Sequence, residues 1–360
     1  MNYISLVMAV FAVIAAIDRI FGNRLKLGLE FERGLMMLGP LALSMIGMIV
    51  ISPLISHVLQ PFLGFISEHV PVDPSSVIAI IFANDMGGAH LCVEMANDAK
   101  IGLLNAMVVS AMMGATVSYT IPVSLGMVKK EQHREMTIGL LCGIVTIPIG
   151  CFAGGIMQGI PFIPLLINLL PLIIVSALIA IGLIKIPDTC VRIFNVFGVF
   201  IKILITAGLA AGIFEMLTGI TLIPYTAPIS EGADIVFNAA VVMTGAFPMI
   251  KILSALLSKP LSFLAKKAHI NETSATGIVS SMASSLITFD LIKDMDRKGV
   301  VLNAAFAVSG AFTFAGHLAF TLAFEASYLP CVITSKLIAG FTAVVIAFPV
   351  YKIIYKDKGI

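Results

Sequence analysis

The chain has 360 residues, of which 59% are apolar and only 12% charged, and its formal net charge is +2. A soluble domain is nearer half apolar and a quarter charged, so this surplus needs lipid rather than water around it. The small net charge, without a dense Lys/Arg tract or an aromatic-interleaved basic patch, argues against a nucleic-acid partner. Five scattered cysteines (Cys92, Cys142, Cys151, Cys190, Cys331) lack C-x-x-C spacing, so neither a disulfide framework nor a zinc site is expected.

Read in chain order, the first apolar run, 3–21, has no basic residue before it and no small-residue cleavage pattern after it. It is expected to stay as a first helix rather than to act as a signal peptide. About 20 apolar residues cross a bilayer as a helix. Nine runs meet that length: 3–21, 34–57, 101–126, 136–158, 162–184, 193–214, 232–257, 299–324 and 331–352. Lipid offers no partner to backbone polar groups, so these runs must be helical.

Two further apolar segments are broken at their centres. Residues 74–97 contain Asn84-Asp-Met-Gly-Gly-Ala-His90, and residues 272–296 contain Ser280-Ser-Met-Ala-Ser-Ser285. Neither reaches the roughly 40 residues that two crossings require.

Lys and Arg mark cytoplasmic loops. Loops 22–33, 127–135, 185–192, 258–270 and 293–298 are basic, as is the tail with Lys352, Lys356 and Lys358. Loops 58–72, 215–231 and 325–330 carry Glu68, Glu215, Glu231 and Glu325 and no base. These assignments agree if both broken segments are re-entrant hairpins, 74–97 from outside and 272–296 from inside. The N-terminus is then outside and the C-terminus inside.

A shift of 198 residues places Asp98-Ala-Lys-Ile-Gly-Leu-Leu-Asn-Ala106 on Asp296-Arg-Lys-Gly-Val-Val-Leu-Asn-Ala304. The same shift sets Gly34 on Gly232, Gly47 on Gly245, and Asp73-Pro-Ser-Ser76 on Asn271-Glu-Thr-Ser274. Every paired loop changes sides, so the repeats read as inverted. The expected organisation is a first repeat at 1–158, a linker helix within 159–190 and a second repeat at 191–360. The fold class expected is an all-α, inverted-repeat membrane bundle of about nine spans and two re-entrant hairpins, an arrangement that transporters use.

Asp85 is the strongest candidate residue. A carboxylate inside a membrane segment is expensive and marks a ligand, ion or proton path; the bland alternative is a helix cap or a partner for a neighbouring His. Asn84 stands beside it, and Gly87 and Gly88 suit a tight turn and close backbone approach. The repeat mate of Asp85 is Ala283, so the second tip instead offers hydroxyls: Ser280, Ser281, Ser284, Ser285 and Thr288. Serines in membrane helices often bond only their own backbone. Asn105 and Asn303 are repeat mates that suit either helix–helix bonding or ligand contact. His317, whose mate is Tyr119, is a packing or titrating residue. Asp73 and Asn271 read as helix N-caps, and Glu94 and Asp290 sit on the hairpin exit arms. The candidate site set is Asn84, Asp85, Gly87, Gly88, Ser281, Ser284, Ser285, Asn105, Asn303 and His317. No catalytic pair, metal motif or phosphate loop appears, so neither an enzyme nor a cofactor is expected.

Several of these motifs together resemble a known family. Gly28-Leu-Glu-Phe-Glu-Arg-Gly34, Leu38-Gly39 and Met45-Ile-Gly-Met48 look like the opening of the ethanolamine-utilisation permease family (EutH type). Asp85-Met-Gly-Gly88 is similar to its first-hairpin motif, and Asn271-Glu272, Leu302-Asn-Ala304 and His317-Leu-Ala-Phe320 to its C-terminal motifs. One position departs: Gly316 stands where an acidic residue often precedes the His. The resemblance implies uptake of ethanolamine across the bacterial inner membrane. The residues alone also fit an ion-coupled carrier or channel for another small polar solute. They leave open passive against proton- or sodium-coupled transport, and monomer against homo-oligomer.

Overall fold

The computed structural model describes residues 3–356, and every regular element among them is helical. Lys358 of the expected basic tail lies outside the described residues, as do the side chains of Glu68, Lys259, Lys266, Lys267 and Lys356. The elements are α1 (Tyr3–Ile20), α2 (Leu27–Met36), α3 (Leu38–Leu41), α4 (Gly47–His69), α5 (Ser75–Ile81), α6 (Gly88–Met95), α7 (Ala99–Leu104), α8 (Ile121–Met127), α9 (His133–Ile144) and α10 (Ile147–Met157). They continue as α11 (Phe162–Lys185), α12 (Pro187–Thr218), α13 (Ile229–Ala268), α14 (Glu272–Ala283), α15 (Ser285–Leu291), α16 (Arg297–Gly310), α17 (Gly316–Phe324) and α18 (Leu329–Lys356). Wider π turns occupy Ala42–Ile46, Asn105–Gly114 and Thr116–Thr120.

Seven of the nine expected runs are present as helices or helix stacks long and apolar enough to cross a bilayer. The other two are the 18-residue α1 and the run at 299–324. That second run is not one continuous helix. It unwinds at 311–315 between α16 and α17, because Phe312 N–H and Phe314 N–H donate to the Ser281 and Met282 carbonyls, each at 3.0 Å, instead of to their own helix. The run at 136–158 is also divided. Pro148 has no N–H to continue the ladder, so α10 restarts there with proline in its first turn. Two expected loops are helical for much of their length: α4 continues to His69 and α13 to Ala268.

The two broken segments close on themselves. At the first, the Asp73 carboxylate accepts the N–H groups of Asn97 and Asp98, both at 2.9 Å, so the two ends of the segment touch. Its other oxygen accepts from Ser75 N–H at 2.9 Å. At the second, Asn271 N–H donates to Asp296 at 2.9 Å and its side-chain amide donates to the Asp294 carbonyl at 2.8 Å. Asn271 also caps α14 through Ser274 N–H, as expected of an N-cap. Asp73 acts as a clamp across the hairpin base more than as a simple cap. A seven-residue arm such as α5 is about 10 Å long, far short of a crossing.

The two bases lie far apart. Asp98 is near Tyr328, just before α18 begins, whereas Asp296 is near Tyr351 in the last turns of α18. A helix of 28 residues is about 42 Å long. The hairpin bases therefore sit toward opposite ends of the bundle, and their tips point inward.

Candidate functional site

The first tip is built by a chain reversal. The residues Phe82 and Ala83 are extended, a single 3-10 turn covers Asn84–Met86, and Gly87 takes φ +85° before α6 begins. A side chain at Gly87 would be strained there and would also run into Met48. One at Gly88 would strike the Phe82 and Ala83 carbonyls. The tip is pressed onto the π-helical stretch 105–114, where Ser110 Oγ donates to the Phe82 carbonyl at 2.5 Å. π turns recur at functional sites. Asn84 is fully buried, and neither its amide nitrogen nor its oxygen has a partner among the described residues.

The second tip is extended at Ser284, between α14 and α15. Its carbonyls at Ser281 and Met282 are taken by the unwound 311–315 segment. Within that segment Phe312 has φ +60°, an uncommon and strained backbone for a bulky residue. The ring of Phe312 lies between Tyr119 and His317, with centroids 5.8 and 5.5 Å away.

Asp85 from the first tip and Ser280, Ala283 and Ser284 from the second line one cavity of about 460 Å³, with Phe312 and Gly316 beside them. The Asp85 carboxylate makes no ion pair or side-chain hydrogen bond among the described residues. At the same cavity Lys251 Nζ lies 3.3 Å from Glu30 and donates to the Lys26 carbonyl at 2.7 Å. Arg33 is 3.6 Å from Glu30 and sits over the Phe247 ring. The arrangement presents one open carboxylate opposite a hydroxyl-bearing backbone break, which suits a small cation carrying a second polar end. Among the described residues no group of metal-ligating side chains forms a metal site.

Comparison with known proteins adds the family. The family model described as ethanolamine utilisation protein, EutH, matches residues 1–350. The chain belongs to this family. It is 41% identical over 339 residues to the probable ethanolamine permease EutH of Listeria monocytogenes, covering 94% of this chain and 91% of that protein. It is 36% identical over 379 residues to the probable ethanolamine permease EutH of Salmonella typhimurium, covering 95% and 93%. An uncharacterized protein of Bacillus subtilis, YxeR, is 38% identical over 337 residues, covering 94% and 91%. No solved structure matches the chain significantly.

Within this EutH-family chain the ten expected site residues fall into four groups. Asp85 and Ser284 line the cavity. Asn84, Ser281, Ser285 and His317 are buried around it, with side-chain atoms that have no hydrogen-bond partner among the described residues: both polar atoms of Asn84, the two serine hydroxyls and His317 Nδ1. Gly87 and Gly88 shape the first tip through backbone contacts. Asn105 and Asn303 are elsewhere, at the hairpin bases. Asn105 donates to the Ser75 and Ser76 hydroxyls at 2.8 and 3.1 Å, and Asn303 to the Ser274 carbonyl at 2.8 Å. They tie hairpin to helix and do not line the cavity. Of the exit-arm acids, Asp290 pairs with Lys293 on the surface at 3.1 Å. Glu94 lines a second cavity of about 250 Å³ with His90 and Glu231.

One residue was missed altogether. Lys336, on α18, is 1% exposed, and its Nζ bonds the Ala111 carbonyl, next to the Ser110 that holds the first tip at Phe82. Its signal in the sequence was plain: a lone lysine inside an apolar run is a functional candidate by default. It escapes a search for broken segments because its run is otherwise continuous. Phe312 and Tyr119 were hidden in the same way, within stretches that read as ordinary spans.

Proposed function

We propose that this chain carries ethanolamine across a bacterial cytoplasmic membrane, binding it as the protonated amine at Asp85 with its hydroxyl toward Ser280 and Ser284. The observation that carries the reading is that both hairpin tips line the same cavity. Two relatives named probable ethanolamine permease, at 36–41% identity over most of the chain, support the substrate. By analogy with lysine, whose pKa is about 10.4, the amine is mostly charged near neutral pH. In that form it crosses lipid poorly and needs a protein path.

The path we propose runs past the first tip. Asp85 precedes α6 and Glu94 lies in its last turn, about 12 Å further along. The cavity with Glu94, Glu231 and His90 then forms the outer half of the path, where two carboxylates attract a cation. The cavity with Asp85 forms the inner half, closed off from the cytoplasm by Glu30, Arg33 and Lys251. In this reading the halves are inverted repeats, the hairpins are re-entrant from opposite faces, and the protein is a carrier rather than an enzyme. The closed hairpin bases near opposite ends of α18 support it.

The test is uptake of labelled ethanolamine into proteoliposomes by wild type and Asp85→Asn at equal reconstituted amounts. Loss of uptake by the variant at low substrate is expected. Wild-type rates from Asp85→Asn at low substrate and low pH would overturn the ammonium role.

A further inference from the structure

Lys336 has no place in the substrate pose above, yet it is among the largest fully buried side chains of the protein. Its position is set by close packing of α10 against α18. At Gly150 and Gly154 any side chain would collide with Ser335 on α18, so the helices meet at backbone distance and the neighbouring Lys336 is driven into the interior. There its Nζ donates to the Ala111 carbonyl, in the π-helical stretch, at 3.0 Å. A lysine ammonium has three donors, and this bond uses one. A buried charge needs a partner of opposite sign, or it gives up its charge.

The titratable groups around Lys336 are few. Among the described residues Asp85 comes from the first hairpin tip, His317 from α17 and Cys151 from α10. Tyr119 stands beside Asp85. Helices α9 and α16 pack on α18 too, but their charged residues lie near its other end. There Arg134 covers the Tyr355 ring, Glu135 accepts from the Tyr355 hydroxyl, Arg297 is 3.9 Å from Glu135, and Lys298 covers the Phe348 ring. Ser110 and Ala111, neighbours in the π-helical stretch, bond the Phe82 carbonyl of the first tip and Lys336 Nζ respectively, so among the described residues Asp85 is the carboxylate set nearest to Lys336, facing it without a direct ion pair.

We infer that Lys336 is the resident counter-cation of Asp85, and that one proton leaves Lys336 for each organic ammonium ion that takes its place. The inference rests on the reading of Asp85 as the ammonium acceptor. In the empty carrier the Lys336 ammonium and the Asp85 carboxylate sum to zero. When a substrate ammonium joins them, two cations face one carboxylate in a medium of low dielectric. Neutrality returns when a Lys336 N–H bond breaks, its electron pair stays on Nζ, and the proton passes to water in the cavity. No covalent bond to substrate forms. On the far side the ammonium departs and Nζ takes up a proton from water there. The net result is an electroneutral exchange: one organic cation inward for one proton outward.

The experiment uses the full-length protein in proteoliposomes, with labelled ethanolamine outside, a pH dye inside and the potential set by potassium and valinomycin. Protein-free vesicles measure the leak of neutral base. A uniporter of a monovalent cation accumulates roughly 50-fold more at 100 mV inside-negative. The expected result is a steady state that does not change with potential, and one proton exported per ethanolamine above the leak. Accumulation that follows the potential overturns the inference and leaves ethanolamine transport standing. Absence of any protein-dependent uptake removes both. The variant Lys336→Arg keeps the charge but cannot release the proton. If it folds, its exchange is expected to fall at least tenfold; unchanged electroneutral exchange overturns the inference. The wild-type measurement decides the matter whether or not the variant folds.

Discussion

At the base of the first hairpin the Asp73 carboxylate holds the N–H groups of Asn97 and Asp98, and Asn105 grips the start of the arm; at the second, Asp296 holds Asn271 N–H and Asn303 plays the part of Asn105. The tips of these matched frames are chemically different. Asp85 corresponds to Ala283, Gly87 to Ser285, and Lys336 to Ile138, all at the shift of 198 residues. The bases have only to hold the two ends of each broken segment together, and one solution serves both. In the proposed pose the tips meet a ligand that is itself unsymmetrical, and they have no reason to match.

This contrast can be broken most forcefully at Asp85. Replacing it by Asn removes the charge that a buried cation needs, a loss of about 2–5 kcal/mol. Uptake at low substrate should fall by on the order of a hundredfold. Moving the carboxylate to the other tip, as Asp85→Ala with Ala283→Asp, should not restore it, because Ile138 offers no counter-charge where the first half meets Lys336. Recovery of uptake in that double variant would show the tips to be interchangeable.

A smaller effect is expected at Gly87. Gly87→Ala adds a left-handed strain of about 1–2 kcal/mol and an overpacking cost of about 1–3 kcal/mol against Met48. Thermal unfolding in detergent should register the sum, and Ser285→Ala, at the mate position, should leave stability nearly unchanged because the hydroxyl it removes has no hydrogen-bond partner among the described residues. The bases should behave alike: Asn105→Ala and Asn303→Ala should each destabilise by about 1–3 kcal/mol in the same assay, while surviving protein keeps its substrate affinity. A loss confined to one of the two would break the correspondence of the frames. The smallest effect belongs to Ser284. Ser284→Ala should weaken ethanolamine by roughly 2- to 10-fold in competition uptake and leave ethylamine, which lacks the hydroxyl, unaffected.

Much of this was legible in the residues. Apolar runs marked the spans, and polar or glycine interruptions marked both broken segments, since each signal depends on local composition. Asn105 and Asn303 were visible as mates, but their place at the bases depends on Ser75, Ser76 and Ser274 coming from another segment. The unwinding at 311–315 left only the glycines that flank it, Gly310 and Gly316. The stretch Ala311-Phe-Thr-Phe-Ala315 contains neither Gly nor Pro, and it opens because the second tip supplies the carbonyls its N–H groups bond. The π turns at 105–120 likewise arise where the first tip and Lys336 press against the helix. Tertiary partners, not local preference, decide such features.

The central claim is that the substrate sits between the two tips. A structure of the full-length protein determined with ethanolamine bound tests it most directly. The ammonium should lie within hydrogen-bond distance of the Asp85 carboxylate, with the hydroxyl directed to Ser280 or Ser284. Ethanolamine found only in the cavity of His90, Glu94 and Glu231, with the Asp85 cavity empty at saturating concentration, would contradict it.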